Sequence, residues 1–319
     1  MSTLKKFVIC LIVLILLIPA GVFSYLYFKL NTMYDKNTDN TLLNKTDYKE
    51  EKGITNILLA GTDGRSTDEK GTRSDAMMIL TVDNKNKSLK LTSLARDTYV
   101  DIPGHGMEKL THAYAYGGIN LLIETIEHNF KLDIQDYAIV DFFSFMDIVD
   151  AVGGVTVDIQ KSEINELNEV MISCYELSKS NKIEPMQTIK SSGIQKLNGY
   201  QALAYGRIRH NDNATERDRR QREIIQGLTN SLKELPITKY PSLIDTLLPY
   251  IKTNMKPTAI FSIATDVLTI GNFSFKQLEF PIEKYSTGGI VGNDGWVWQY
   301  DKNKCLPILH NFIFNDVSY

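Results

Sequence analysis

Residues Phe7 to Phe28 form an almost uninterrupted apolar run behind Lys5 and Lys6, and this run decides where the rest of the chain can fold. At the usual helical rise it is long enough to cross one bilayer. A basic flank on the short amino-terminal side keeps that end in the cytoplasm, so everything beyond the run lies outside. The expected layout is a cytoplasmic terminus (1–6), a transmembrane helix (7–28), a stalk (29–53) and an extracytoplasmic domain (54–319), which makes a single-pass protein of the cell membrane. Tyr25 and Tyr27 fall where the outer interface would be. A cleavable signal peptide ending near Pro19 and Ala20 is the rival reading, but the apolar run continues past Ala20 to Phe28. From Asn31 to Lys52 the composition is polar and charged without apolar periodicity, as a spacer would be.

The folded part begins near Ile54. "ITNILLAG", "AMMILTVD" and "SLKLTSLA" read as strands, the last two joined by the turn-rich "NKNK". Helical patterns follow at Ile119 to Phe130 and Phe142 to Val152, and "AVGGVTVDI" marks a helix stop at Gly153 or Gly154 before a new strand. Lys161 to Lys190 is polar and weakly periodic, and reads as an excursion from the core. A helix near Thr258 to Thr269 and a strand near Phe273 to Phe280 complete the pattern. Interleaved strands and helices predict one α/β domain, with a mixed central β-sheet and helices on both faces. A net charge of −3 and a pI near 6.0 exclude a general nucleic-acid binder, which needs a strongly basic face. The compartment permits a disulfide between Cys174 and Cys305, although two unpaired buried thiols are the simpler reading.

"YGRIRHNDNATERDRRQREII", Tyr205 to Ile225, holds six of the nine arginines in a chain that otherwise uses lysine. Arginine's planar fork grips carboxylate or phosphate oxygens at two points, which lysine cannot do. Ile224, Ile225, Leu228, Leu232 and Leu235 form an apolar helical stripe, and backward helical steps land on Gln221 and Arg217. Arg217 therefore points inward at a helix amino terminus, where an anion is favoured. Arg219 falls on the opposite side, and Arg219, Arg220 and Arg222 fit a solvated basic patch. "GRIRH" reads as extended, which would put Arg207 and Arg209 on one face, tolerable if an anion lies between them.

A second constellation, "GTDGRSTDEKGTRSDAMM", brings Asp63, Arg65, Arg73 and Asp75 to one end of the sheet, where α/β proteins bind ligands. These charges could be simple ion pairs. Alternatively Asp63 and Asp75 hold Mg²⁺, which takes one or two carboxylates and completes its shell with water and phosphate. "SLARDTYVDI" adds Arg96 at another strand end, and "GMEKLTHAYAYGG" adds Lys109. His105, His112, His128, His210 and His310 show no metal-ligand spacing and no serine sits in a nucleophile elbow, so zinc and serine hydrolases have no support.

"NILLAGTDGR", "GTRSDAMMIL", "SLARDTYVDIPG", "KLTHAYAYGG", "IVDAVGGVTVDI" and "LNGYQALAYGRIRHNDNATERDRRQREII" together resemble the LytR-CpsA-Psr family of Gram-positive cell-envelope proteins. The resemblance runs in order from Ile54 to about Leu235 and implies a membrane-anchored phosphotransferase. Its members move an anionic glycopolymer, such as teichoic acid or capsular polysaccharide, from a polyprenyl diphosphate carrier to peptidoglycan. It also implies that Asp63 and Asp75 bind Mg²⁺, with Mn²⁺ as the alternative ion. Arg65, Arg73, Arg96, Lys109, Arg207, Arg209, Arg217 and Gln221 would then contact the diphosphate, with Arg73, Asp75 and Arg96 catalytic. Three positions depart from the family pattern: Ala95 stands where Pro is usual, Thr111 where Asn is usual, and Ala214 where an acidic residue is common. Hydrolysis of the polyprenyl diphosphate, and a non-catalytic membrane-tethered polyanion sensor, are the alternative functions.

Overall fold

The computed structural model describes residues 24–35, 48–64, 71–134, 136–178, 185–208 and 214–319. Most of the expected transmembrane run, together with Arg65 and Arg209, lies outside them. Among the described residues no helix is long and apolar enough to cross a membrane.

The strands follow the apolar runs. β1 (Ile54–Thr62), β2 (Ser74–Asp83) and β3 (Ser88–Leu94) form an antiparallel meander. β6 (Asp136–Asp141) joins β1 in parallel, β10 (Phe275–Phe280) joins β3 in parallel, and the two-residue β9 (Lys252–Thr253) closes the far edge. The resulting mixed sheet has the order β10-β3-β2-β1-β6-β9, and β4 (Tyr99–Ile102) with β5 (Gly106–Lys109), and β7 (Val155–Ile159) with β8 (Gly193–Leu197), form separate antiparallel pairs. Antiparallel pairing of β2 with β1 and β3, and parallel pairing of β6 with β1 and of β10 with β3, brings the carboxyl ends of β1, β3, β6 and β10 to the same edge as the amino end of β2.

Period-two alternation divides the sheet's side chains between two layers. Leu58, Ala60, Met77 and Ile79 face a core built with α1 (Leu110–Phe130) and the carboxy-terminal α8 (Lys302–Asn315). The intervening Leu59, Gly61, Ala76 and Met78 face the other way, toward α2 (Phe142–Ala151), α4 (Gly199–Tyr205) and α5 (Ala214–Glu234). Helices thus cover both faces. α1 is broken at Gly117 and Gly118, where Gly118 has φ 64° and ψ −155°. The apolar pattern from Ile119 therefore marks only its second half.

The described part of Lys161 to Lys190 is not an excursion. Ile164–Ser178 is a helix, α3, whose Leu167, Met171 and Cys174 are fully buried in a second core with Met146, Val149, Val155 and Leu203. The extended reading of "GRIRH" is corrected at Gly206 and Arg207, while the expected common face of Arg207 and Arg209 lies outside the described residues. The Asn198 side chain caps α4 and Gln201 completes the capping box, so the chain is helical to Tyr205 and turns at Gly206 and Arg207. Cys174 and Cys305 are buried, unpaired thiols in separate cores. The described parts of the expected stalk rest on the domain: Asp35 donates its N–H to the Thr253 carbonyl, Thr253 donates to the Met33 carbonyl, and Lys85 pairs with Glu51.

Candidate active site

The shared sheet edge gathers the charges. A register shift between Gly61↔Ala76 and Thr62↔Ser74 leaves Asp75 as the extra residue of β2, and just beyond the last pair Asp63 and Arg73 close on each other. Asp63 donates its N–H to the Arg73 carbonyl at 3.1 Å, and its Oδ1 accepts the Arg73 N–H at 2.7 Å. That turn fixes Asp75 two residues on. Extending the β2–β3 register beyond Met78↔Ser93 sets Asp75 opposite Arg96, whose guanidinium donates to Asp75 Oδ1 at 2.5 Å. Arg96 also contacts Asp97 at 3.3 Å, and Lys109 stands 3.4 Å from the other Asp97 oxygen. From the helical layer, Arg217 donates to the Asp75 carbonyl at 2.7 Å and lies 3.8 Å from its carboxylate.

Arg217 is 7% exposed and points inward, as helical phase predicts. Beneath it, Gln221, Ile224, Ile225 and Leu228 continue the same stripe along a cavity of about 280 Å³. Leu59, Met78, Ala138 and Val140 of the sheet form one wall, and Phe142, Phe145, Ile148 and Leu203 form the other. The lining is otherwise apolar, its polar members being Asp75, Asp141, Arg207, Arg217 and Gln221. Arg207 approaches from the α4 side, its guanidinium 4.7 Å above the Phe142 ring and 3.6 Å from Cys174 Sγ.

Of the expected residues the structure brings together Asp75, Arg96 and Arg217, with Lys109 linked through Asp97 and with Arg207 and Gln221 on the cavity wall. Asp63 and Arg73 are exposed at its rim. The expected solvated patch is corrected. Arg220 is fully buried, bonded to Glu163 and the Ile208 carbonyl, and Arg222 reaches Ser93 and Gln277. Because α5 is packed between the sheet and the β7 strand (Val155–Ile159), only Arg219 remains at the edge, paired with Glu163, Glu216 and Glu223. Asp218 escaped the sequence reading as a site residue. Its burial pushes the carboxyl up to about 6 against the pull of Arg217 and Arg222, and its Oδ2 has no hydrogen-bond partner among the described residues. The available signal was its helical spacing to Arg222, which shares its face. The cavity walls also went unread, since only the assembled fold turns the Leu59 and Phe142 faces toward each other.

Carboxylate oxygens are the donors a hard dication selects, and Asp63 and Asp75 come from adjacent strand ends beside the arginines. Among the described residues no three His, Cys, Asp or Glu side chains converge. One or two carboxylates are what Mg²⁺ ordinarily takes from a protein, with water and phosphate completing its shell.

A charged clamp at the mouth of an apolar cavity suits an anion carried on a hydrocarbon. The sequence profile of the LytR_cpsA_psr family matches residues 21–311. The chain belongs to the LytR-CpsA-Psr family. It is 30% identical over 251 residues to the polyisoprenyl-teichoic acid–peptidoglycan teichoic acid transferase TagT of Bacillus subtilis, covering 75% of this chain and 74% of that protein. It is 29% identical over 268 residues to the regulatory protein MsrR of Staphylococcus aureus, covering 83% and 76%. Its fold superposes on the solved structure titled "TagT bound to LI-WTA" with a TM-score of 0.63 and 26% identity, over 86% of this chain and 94% of that one.

Proposed function

We propose that this protein is a membrane-anchored phosphotransferase that moves an anionic glycopolymer from a polyprenyl diphosphate to peptidoglycan. The carrying observation is the continuity of an apolar cavity with the Asp75, Arg96 and Arg217 cluster. The prenyl chain lies between the sheet and α5, and the diphosphate stands at the mouth. Arg96, Arg207 and Arg217 hold its oxygens, with Arg73 and Lys109 at the rim and Gln221 below. An acceptor sugar hydroxyl attacks the phosphorus that bears the glycopolymer. The P–O bond to the polyprenyl phosphate breaks, polyprenyl phosphate leaves, and the hydroxyl proton passes to solvent. Because charge spreads over the phosphoryl oxygens in that transition state, fixed arginines at the site supply most of what the protein must contribute.

Mg²⁺ held by Asp63 and Asp75 would offset further diphosphate charge. The transferase name of TagT supports transfer, and the regulatory name of MsrR keeps a non-catalytic role as the second reading. Asp75→Ala removes both the metal carboxylate and the partner that orients Arg96. We expect turnover of a polyprenyl-diphosphate oligosaccharide to fall by about 10²-fold or more, the scale seen when one transition-state contact is lost. Mass spectrometry should find a sugar-phosphate-sugar product and free polyprenyl phosphate. Oligosaccharide phosphate alone, even at high acceptor concentration, would replace the transferase by a hydrolase. Wild-type turnover undiminished by EDTA would remove metal from the scheme.

A further inference from the structure

Both tryptophans of the chain, Trp296 and Trp298, lie on one hairpin that the donor site does not use. Strands β11 (Ser286–Val291) and β12 (Gly295–Tyr300) pair antiparallel, outside the central sheet. Val297 is buried, so the alternate residues Trp296 and Trp298 share the other face. Trp296 is 42% exposed and Ile290, its cross-strand partner, 79%. The indole is nevertheless held. A Cβ on Gly288 would sit 2.4 Å from Trp296 Cζ2, so the ring lies against bare backbone, and Trp298 meets it edge-on at 5.2 Å. A large apolar ring fixed in water by a glycine is a preformed contact surface.

This hairpin is joined to the phosphate clamp. The Trp298 N–H donates to the Asp97 carbonyl, and the Asp97 side chain bonds Arg96 and Lys109. Gly295 stands beside Lys109, with its would-be Cβ 3.8 Å from Nζ. Asp294 accepts a hydrogen bond from Tyr99 at 2.9 Å, and Glu108 accepts from the half-exposed Tyr116, which stacks on His105 at 4.4 Å. Aromatic faces interleaved with fixed carboxylates thus run from the clamp outward, and none of these residues lines the apolar cavity.

We propose that this surface is the acceptor platform, on which a pyranose face of the peptidoglycan glycan strand stacks on Trp296 while Asp294 and Glu108 hold its hydroxyls. The proposal rests on the transferase reading for the identity of that glycan. A pyranose has a flat, C–H-rich face that the negative face of an indole attracts, and a rim of hydroxyls that carboxylates accept from. Asp294 and Glu108 oppose a polyanionic chain, which favours the acceptor over the anionic donor polymer as occupant. In-line displacement also requires the attacking hydroxyl to arrive opposite the leaving polyprenyl phosphate.

The test uses the full chain in detergent, with soluble peptidoglycan glycan fragments as probe. Intrinsic tryptophan fluorescence reports this hairpin alone. Fragments should change the emission saturably, and Trp296→Ala and Tyr116→Ala should each weaken fragment affinity, measured by calorimetry, by about tenfold, equivalent to about 1.4 kcal/mol. In turnover, KM for the acceptor should rise by a similar factor while affinity for the polyprenyl-diphosphate donor is unmoved. No fluorescence response in the wild type, or unchanged fragment affinity in both variants, overturns the platform. So does a loss confined to donor affinity, which would make the surface part of the donor site. Binding is read without turnover, so a wild type that binds fragments but makes no phosphodiester sinks the transferase reading and leaves the glycan surface standing.

Discussion

Arg217 and Arg219 stand two residues apart on one helix and carry the same charge, yet they face different neighbours. Arg217 is buried against Asp75 at the cavity mouth, whereas Arg219 is clasped by Glu163, Glu216 and Glu223 at the helix edge. Arg217→Ala should therefore weaken binding of a polyprenyl diphosphate by about 2 kcal/mol or more, since a charge-assisted contact in a shielded site is lost. Arg219→Ala should leave that affinity within about twofold and lower stability by about 1 kcal/mol, as loss of a half-exposed network does. Parallel titrations with the same lipid, and urea melts of both variants, separate the two effects. Equal losses of lipid affinity would mean that the arginines act as one diffuse field. Helical phase in the sequence was sufficient to tell Arg217 from Arg219. It was insufficient for Arg220 and Arg222, because a one-sided stripe assumes one buried face and α5 is covered on two.

The same limit operates among the elements. β1, β2 and β3 were legible because their apolar runs are short and bounded by turns. α3 was not, because a helix that buries Leu167, Met171 and Cys174 against a small second core keeps a polar majority. Nor could periodicity locate the first turns of α1, which precede the break at Gly117 and Gly118 and begin at Lys109 beside the site. The other end of α1 carries a buried carboxylate that pattern also missed. Glu127 Oε1 accepts the Ile134 N–H where the chain turns into β6. Burial pushes this carboxyl up to about 8, despite the lowering effect of that hydrogen bond. A carboxyl whose folded pKa lies above its ordinary 4.5 favours folding most when protonated, so its contribution is present below pH 4.5 and is lost as pH rises through 8. Glu127→Gln keeps the acceptor oxygen and removes the titration. Its melting temperature should match wild type near pH 4.5 and exceed it by a margin that grows up to about pH 8 and then levels. A margin independent of pH would mean that Glu127 does not titrate in the fold.

At the scale of the whole molecule the cavity is the seam between the sheet and the second core. Leu59, Met78 and Val140 belong to one side, and Phe145, Leu203 and Ile225 to the other. A hydrocarbon chain in that seam touches both layers at once and binds only while they are assembled, so it should stabilise the entire domain by mass action. At a free concentration near 100 times Kd the gain is about 2.7 kcal/mol, which for a domain of this size raises the melting temperature by roughly 5–10 °C. Inorganic diphosphate engages only the arginines at the mouth and should raise it far less. The decisive variant is Ala138→Phe, which projects a ring from the sheet wall into the cavity. It should leave the melting temperature of the protein alone unchanged or slightly raised, abolish the shift caused by the prenyl diphosphate, and keep the small shift caused by diphosphate. If the prenyl lipid and inorganic diphosphate stabilise wild type equally, or if Ala138→Phe retains the full lipid shift, the hydrocarbon lies elsewhere and the continuity between cavity and clamp loses its meaning.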